Sequence, residues 1–226
     1  MSGKVVVVSS PIGNLEDISP RAVKALEAAD VVACEDTRHS GRLLAHLGLK
    51  KRLVSLHEHN ERKRLPQLVE LLEQGLTIAV LTDAGTPLVS DPGFLLVREA
   101  AARGVRIEPL PGPSAVLAAL VASALPPYPF TFCGFPPRTG QRRRRFFRGF
   151  AELGHTLIFF ESPHRLLASL ADAGTELGEE RPAAVCRELT KLHEEVVRGT
   201  LSEVRAAFSE RASVKGEVVV VVGGLR

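Results

Sequence analysis

Four segments of this 226-residue chain gather side chains that can move a proton or hold an anion. Cys34-Glu35-Asp36-Thr37-Arg38 sets two carboxylates beside a guanidinium, and His57-Glu58-His59-Asn60-Glu61 alternates imidazole with carboxylate. Phe160-Glu161-Ser162-Pro163-His164-Arg165 and Arg187-Glu188-Leu189-Thr190-Lys191-Leu192-His193-Glu194-Glu195 repeat the mixture in the second half. A carboxylate or imidazole can take a proton from a weak nucleophile. Arginine or lysine can stabilise developing negative charge or grip a phosphate. Glu35, Asp36, Arg38, His57 and Glu58 are therefore the candidate catalytic groups, and Lys191 is a candidate phosphate contact. Plainer alternatives stand beside them. Glu35-Asp36 also suits the start of a helix near Arg38, where carboxylates cap free N–H groups. His57 and His59 fall on one side of a strand and Glu58 on the other, but no third ligand stands in register, so no metal centre is expected. The segment His57-Glu58-His59-Asn60-Glu61 fits a substrate contact and also an ordinary polar loop.

A fifth segment is basic. Gln141–Phe150 holds Arg142, Arg143, Arg144, Arg145 and Arg148, with Phe146, Phe147 and Phe150 at helical spacing to anchor it. No acidic residue lies between Tyr128 and Ala151. The pattern predicts a helix whose arginines contact the phosphates of a nucleic acid; the alternative is a solvated charged face.

The elements that must position these groups follow from apolar runs and their punctuation. Val5–Val8, Val31–Cys34, Leu53–Leu56, Ile78–Thr82 and Arg106–Leu110 read as strands buried on both faces. Helices alternate with them: Ser19-Pro20 is an N-cap with proline in the first turn, and Gly75 and Gly104 suit left-handed helix ends. A β-α-β-α order implies a parallel sheet covered by helices. After Leu125, five prolines by residue 137 mark a change of texture. Phe130–Phe135, Thr156–Phe160, Ala183–Arg187, Glu195–Arg198 and Glu217–Val222 then read as strands, with helices opening at Ser162-Pro163 and at the capping box Thr200-x-x-Glu203. The expectation is an α/β chain of two lobes, 1–120 and 121–226, the first largely parallel and the second mixed.

Glycine and proline concentrate after strands one, four and five: Ser9-Ser10-Pro11-Ile12-Gly13-Asn14, Thr82–Gly93, and Pro111-Gly112-Pro113-Ser114-Ala115. Ligands bind at that edge of an open α/β sheet. Glycine lets backbone approach a ligand and proline stiffens the loop, so three such loops point to a preformed pocket rather than to mere turns. Neither G-x-x-x-x-G-K-[ST] nor G-x-G-x-x-G occurs, which argues against a P-loop nucleotidase and a dinucleotide-binding Rossmann fold.

Composition sets wide bounds. Hydrophobic residues make up 45% and charged residues 24%, ordinary for a globular protein, and the net charge of +3 neither demands nor excludes a nucleic-acid partner. The apolar run Ala115–Leu125 is shorter than the roughly 20 residues a membrane span needs. The apolar run Val5–Val8 is shorter than a secretory signal, for which about 7–15 residues are usual. Cys34, Cys133 and Cys186 lie far apart in strand-like segments, as reduced core residues of a cytoplasmic protein do.

The start Ser9-Ser10-Pro11-Ile12-Gly13-Asn14-Leu15-Glu16-Asp17-Ile18, the Asp83–Gly93 loop and Pro111–Ala115 together resemble the tetrapyrrole methylase superfamily. The four segments named first resemble its branch of ribosomal RNA ribose methylases, and the likeness spans the chain in order. The long loop begins Asp83-Ala84-Gly85, where tetrapyrrole-making members often carry Gly-Asp-Pro; this matches the ribosomal RNA branch. The resemblance implies two lobes with S-adenosylmethionine in the cleft between them. It implies methyl transfer to the ribose 2′-hydroxyl of a cytidine in small-subunit (16S) RNA, within the assembled small subunit, by a homodimer. Cofactor contacts would fall on Pro11, Ile12, Gly13, Asp83, Ala84, Gly85, Thr86, Leu88, Ser114 and Ala115. In the second lobe they would fall on Glu161, Leu189, Gly216 and Glu217. The alternative within the superfamily is a small-molecule methyltransferase, which would have no use for an arginine helix.

Overall fold

The computed structural model describes residues 3–225. It divides into two compact units that part between Ser114 and Ala115. The first is a five-stranded sheet of β1 (Lys4–Val8), β2 (Val31–Cys34), β3 (Arg52–Ser55), β4 (Thr77–Leu81) and β5 (Arg106–Leu110), in the order β3-β2-β4-β1-β5. All its pairings are parallel. The register fits burial on both faces. Val5, Val7, Val31, Ala33, Ile78 and Val80 pack on one side under α3 (Glu61–Glu73) and α4 (Phe94–Ala102). Val6, Val8, Val32, Cys34, Ala79 and Leu81 pack on the other under α1 (Pro20–Ala28) and α2 (Thr37–His46). Ser19 caps α1 through the Ala22 N–H with Pro20 in its first turn, as the residues require. A parallel sheet sends every strand's C-terminal end to one edge, so residues 9, 35, 56, 82 and 111 all emerge there.

The second unit carries a mixed sheet in the order β6-β7-β10-β8-β9. Its strands are β6 (Phe130–Phe132), β7 (Thr156–Glu161), β8 (Pro182–Arg187), β9 (Glu195–Thr200) and β10 (Val218–Val222). Only β6–β7 is parallel; β10 runs antiparallel to both β7 and β8, and β8 to β9. α6 (Gly140–Arg148), α7 (Leu166–Leu177) and α8 (Leu201–Ser209) cover one face through Phe147, Leu170, Ala173, Val204 and Phe208. α5 (Ala115–Ser123) belongs to this unit, where the Cys186 thiol lies 3.8 Å from the Ala119 carbonyl. The Thr200/Glu203 capping box forms as expected. Two expectations shift. β6 stops at Phe132 because Gly134 turns left-handed (φ 67°) and the prolines at 136 and 137 have no N–H to pair. α7 begins at Leu166, not at Ser162-Pro163, since residues 163–165 form a turn first. The three cysteines are free, and Cys34 and Cys186 are buried. Among the described residues no helix is long and apolar enough to cross a membrane.

Candidate active site

Three loops at the C-terminal edge of the parallel sheet are stitched together. Ser10 and Gly85 exchange backbone hydrogen bonds of 2.9 and 3.1 Å, joining the β1 loop to the β4 loop. The buried Ser10 hydroxyl donates to the Thr82 carbonyl at 2.9 Å, and that of Ser9 to the Leu110 carbonyl at 3.2 Å. Thr86 Oγ1 donates to the Pro113 carbonyl at 3.2 Å, closing the β4 loop onto the β5 loop. Pro11, Ile12 and Gly85 are buried beside these stitches, while Gly13 and Ala84 face solvent and Asp83, Thr86 and Leu88 are half-buried. Leu88 and Ser90 hold left-handed backbone (φ 73° and 69°), which side chains other than glycine adopt at a cost of about 1–3 kcal/mol and which clusters at ligand sites. Among the first-unit residues expected to touch a cofactor, the stitches gather Pro11, Ile12, Gly13, Asp83, Ala84, Gly85, Thr86 and Leu88. Ser114 ends the β5 loop and Ala115 opens α5.

The neighbouring strand ends separate the two carboxylates that follow β2. Asp36 is the N-cap of α2: its Oδ1 accepts the Arg38 N–H at 2.8 Å, and its two oxygens take Arg38 Nε and Nη2 at 3.2 and 2.9 Å. Those bonds hold Asp36 well below the usual carboxylate range. Asp36 is therefore a capping anion, poorly suited to take a proton, and Arg38 is spent on it. Burial, the nearby Asp83 carboxylate and Asp36 together push Glu35 upward, with His57 opposing. Asp91, in the same long loop, is pushed up to about 6 by burial, with Glu35 and Asp83 adding to the shift. Its raised affinity for a proton stabilises the fold fully only below its ordinary 3.8, and that stabilisation is lost as pH rises through about 6. Asp91→Asn should thus flatten the pH dependence of stability between about 4 and 6 and stabilise the protein at pH 8. Urea midpoints at pH 4, 5, 6 and 8 check this; a constant offset from the parent would refute it.

The histidine segment forms a turn leading into α3 and does not extend β3. Asn60 Oδ1 accepts the His57 N–H at 2.9 Å, and the Asn60 and Glu61 N–H groups return to the His57 carbonyl. His57 and His59 rings meet edge-on at 6.1 Å, and Glu58 and His59 are exposed. Glu61 has a function that spacing does not disclose: its Oε1 accepts the N–H groups of Gly93 (3.0 Å) and Leu95 (2.7 Å), capping α4 and pinning the exit of the Thr82–Gly93 loop.

In the second unit the candidates also meet at one sheet edge, where Val218 of β10 pairs with Glu161 of β7 and Arg187 of β8. Glu188 accepts the Glu217 N–H at 2.9 Å and pairs with Lys191, which also pairs with Glu217 at 3.1 Å. Gly216 (φ 89°) leaves room for Glu188 that a Cβ would fill. Glu188 and Thr190, either side of the buried Leu189, are left-handed (φ 52° and 66°). The Glu161 side chain, expected at a cofactor contact, serves as an internal brace. Its carboxylate is fully buried and is taken by Arg165, the Ser162 N–H and the Ser169 hydroxyl. Lys191 is likewise neutralised by two carboxylates.

The arginine segment is a helix, but its charges are not all presented. Arg143 is buried, its Nε and Nη2 both 2.7 Å from Asp172 of α7. Arg144 lies 3.5 Å from the same carboxylate, and Arg148 forms a two-pronged pair with Glu176 at 2.8 and 3.0 Å. The expectation that Arg143 contacts phosphate is overturned by its burial. Arg142 and Arg145, three residues apart and so on one flank of α6, are exposed and have no ion-pair partner among the described residues.

The fold and these loops define a class: the pattern of tetrapyrrole (corrin/porphyrin) methylases matches residues 4–205, and the chain belongs to that family. Within it, the chain is 50% identical over 218 residues to ribosomal RNA small subunit methyltransferase I of Mesorhizobium japonicum, covering 96% of this chain and 74% of that protein. It is 45% identical over 225 residues to the protein of that name from Haemophilus influenzae, covering 99% and 80%. Among solved structures, uroporphyrin-III C-methyl transferase from Thermus thermophilus complexed with S-adenyl homocysteine superposes with a TM-score of 0.68. It is 21% identical, and the match covers 98% of this chain and 97% of that one.

Proposed function

We propose that the protein transfers a methyl group from S-adenosylmethionine to small-subunit (16S) ribosomal RNA, at the ribose 2′-hydroxyl of a cytidine. The observation that carries this is the stitched set of three strand-end loops in a chain whose relatives, 50% and 45% identical, are named for that RNA. The donor set fits the cofactor. Asp83 offers a carboxylate to ribose hydroxyls or an ammonium, half-buried Leu88 offers apolar surface while Ile12 is buried, and Gly13 and Ala84 leave backbone open to approach. S-adenosylmethionine supplies an already activated methyl, so the protein's task is alignment and management of one proton. Of the two carboxylates that follow β2, Glu35 is the one whose surroundings favour accepting that proton, because burial and the nearby Asp83 raise it where Arg38 lowers Asp36. Arg142 and Arg145 supply phosphate contacts that give affinity and salt dependence without choosing the site. The protein works in the cytoplasm as a homodimer on assembled small subunits.

Labelled S-adenosylmethionine incubated with small subunits lacking the modification should place label on ribose, recovered after digestion as 2′-O-methylcytidine. Label on a base, or on a small acceptor and not on RNA, would overturn the reading.

A further inference from the structure

Residues 134–138 form a braced strip beside β6. Every second carbonyl is tied to the body of the second unit. The Gly134 carbonyl accepts the Phe160 N–H at 3.0 Å, that of Pro136 accepts Arg165 Nη1 at 3.3 Å, and that of Arg138 accepts Arg143 Nη1 at 3.3 Å. Both arginines are themselves locked, Arg165 by buried Glu161 and Arg143 by Asp172. The strip is therefore held from below, and what it displays is fixed. It displays Phe135, which is 54% exposed. That ring is the outer member of an aromatic ladder: Phe132 meets Phe160 edge-on at 4.9 Å, and Phe160 meets Phe135 at 5.4 Å. The three backbone braces hold this ring half in water in one place, and the surrounding chemistry indicates what it would meet there. Arg138, Arg142 and Arg145 follow it in the chain, all exposed and unpaired among the described residues. The chain from Tyr128 to Ala151 contributes no carboxylate of its own.

We propose that Phe135 is a stacking platform for an unpaired nucleobase of the RNA substrate, with Arg138, Arg142 and Arg145 holding the flanking phosphates. The proposal rests on the RNA reading above and adds a site to it. A ribose 2′-hydroxyl inside a stacked helix is poorly accessible, and proteins that single out RNA nucleotides splay them and stack the freed base on an aromatic ring beside basic side chains. Charge selects this occupant over an apolar protein surface: three exposed guanidinium groups, each within ten residues of the ring along the chain and unpaired among the described residues, suit a polyanion that carries π-faces.

The chain contains no tryptophan, so Phe135→Trp installs a single indole reporter at the platform. Its emission should be quenched on titration with a short single-stranded RNA, and not by an abasic ribose-phosphate chain of equal length. Phe135→Ala should lower kcat/KM for undermodified small subunits roughly tenfold to a hundredfold, mostly through KM, as loss of one stacked base does. Its melting temperature and S-adenosylmethionine affinity should stay at the parent's values, and Phe135→Tyr should retain activity. Equal quenching by the abasic chain, or parental kinetics in Phe135→Ala, would overturn the platform. So would an indole shift that depends on protein concentration with no RNA present, which would assign the ring to a second copy of the chain. Parent protein that fails to label small subunits would overturn the RNA reading itself, a separate outcome.

Discussion

Arg143→Ala should destabilise the protein by about 3–5 kcal/mol, while Arg142→Ala and Arg145→Ala leave stability within about 0.5 kcal/mol. These arginines look interchangeable as a run. They differ because helical periodicity turns Arg143 inward with Phe147, where α7 presents Asp172. The Arg143 and Asp172 side chains are only 8% and 12% exposed. Truncating Arg143 strands a buried carboxylate whose remaining partner, Arg144, is 3.5 Å away and half in solvent. It also releases the Arg138 carbonyl and with it one brace of the 134–138 strip. A joint change of Arg143→Met with Asp172→Leu should recover most of the stability, since a buried pair replaced by apolar side chains is often neutral. The exposed pair should show the opposite profile. Arg142→Ala with Arg145→Ala should weaken RNA binding and flatten the dependence of log K on log salt by about one unit for each phosphate no longer gripped. Urea midpoints and RNA titrations at several salt concentrations separate the two effects. If Arg143→Ala unfolds like the parent, or the exposed pair leaves the salt slope unchanged, this division of labour is wrong.

The same run shows what a sequence can and cannot disclose. Strands of the first sheet were legible because burial on both faces forces unbroken runs such as Val5–Val8, and caps were legible because Ser19 and Thr200 act within three residues of themselves. The three glycine-proline loops were legible as a group, since parallel strands bring their ends to one edge whatever the details. What stayed hidden depends on partners far along the chain. Asp172 lies 29 residues from Arg143, so the absence of acid within Tyr128–Ala151 said nothing about neutralisation. The Glu161 carboxylate is taken by Arg165 from the turn before α7 and by Ser169 within α7, partners that spacing alone did not disclose. Glu35 and Asp36 are adjacent in sequence and opposite in character. Asp36 turns to its own helix, while Glu35 is half-buried near Asp83, in the loop after β4, 47 residues on from Asp36. Phe135 could not be told from core aromatics, because its exposure follows from where β6 ends.

Gly112→Ala should lower S-adenosylmethionine affinity tenfold or more, and the reason is space rather than backbone freedom. A Cβ at Gly112 would stand 2.7 Å from Ser9 Cβ and 3.4 Å from its hydroxyl. Side-chain rotation cannot relieve the first contact, because Ser9 Cβ is fixed to the main chain. Ser9 is 3% exposed, and the next residue, Ser10, is bonded in both directions to Gly85. Either the β5 loop lifts away from Ser9, straining the Thr86–Pro113 bond, or the β1 loop moves and the Ser10–Gly85 bridge opens. Overpacking of this kind costs about 1–3 kcal/mol, and a loss of about 1.4 kcal/mol in binding is tenfold in affinity. Gly104→Ala is the control. Gly104, unlike Gly112, is left-handed (φ 68°), and nothing lies within 4 Å of its added Cβ. It should cost about 1–2 kcal/mol of backbone strain and leave cofactor affinity at the parent's value. Ser9→Gly combined with Gly112→Ala removes the clash at its source and should restore much of the binding. Calorimetric titration of the four proteins decides the matter. Parental affinity in Gly112→Ala would mean that the stitched loops do not hold the cofactor, whereas loss without recovery in the double variant would place the binding energy in the Ser9 hydroxyl.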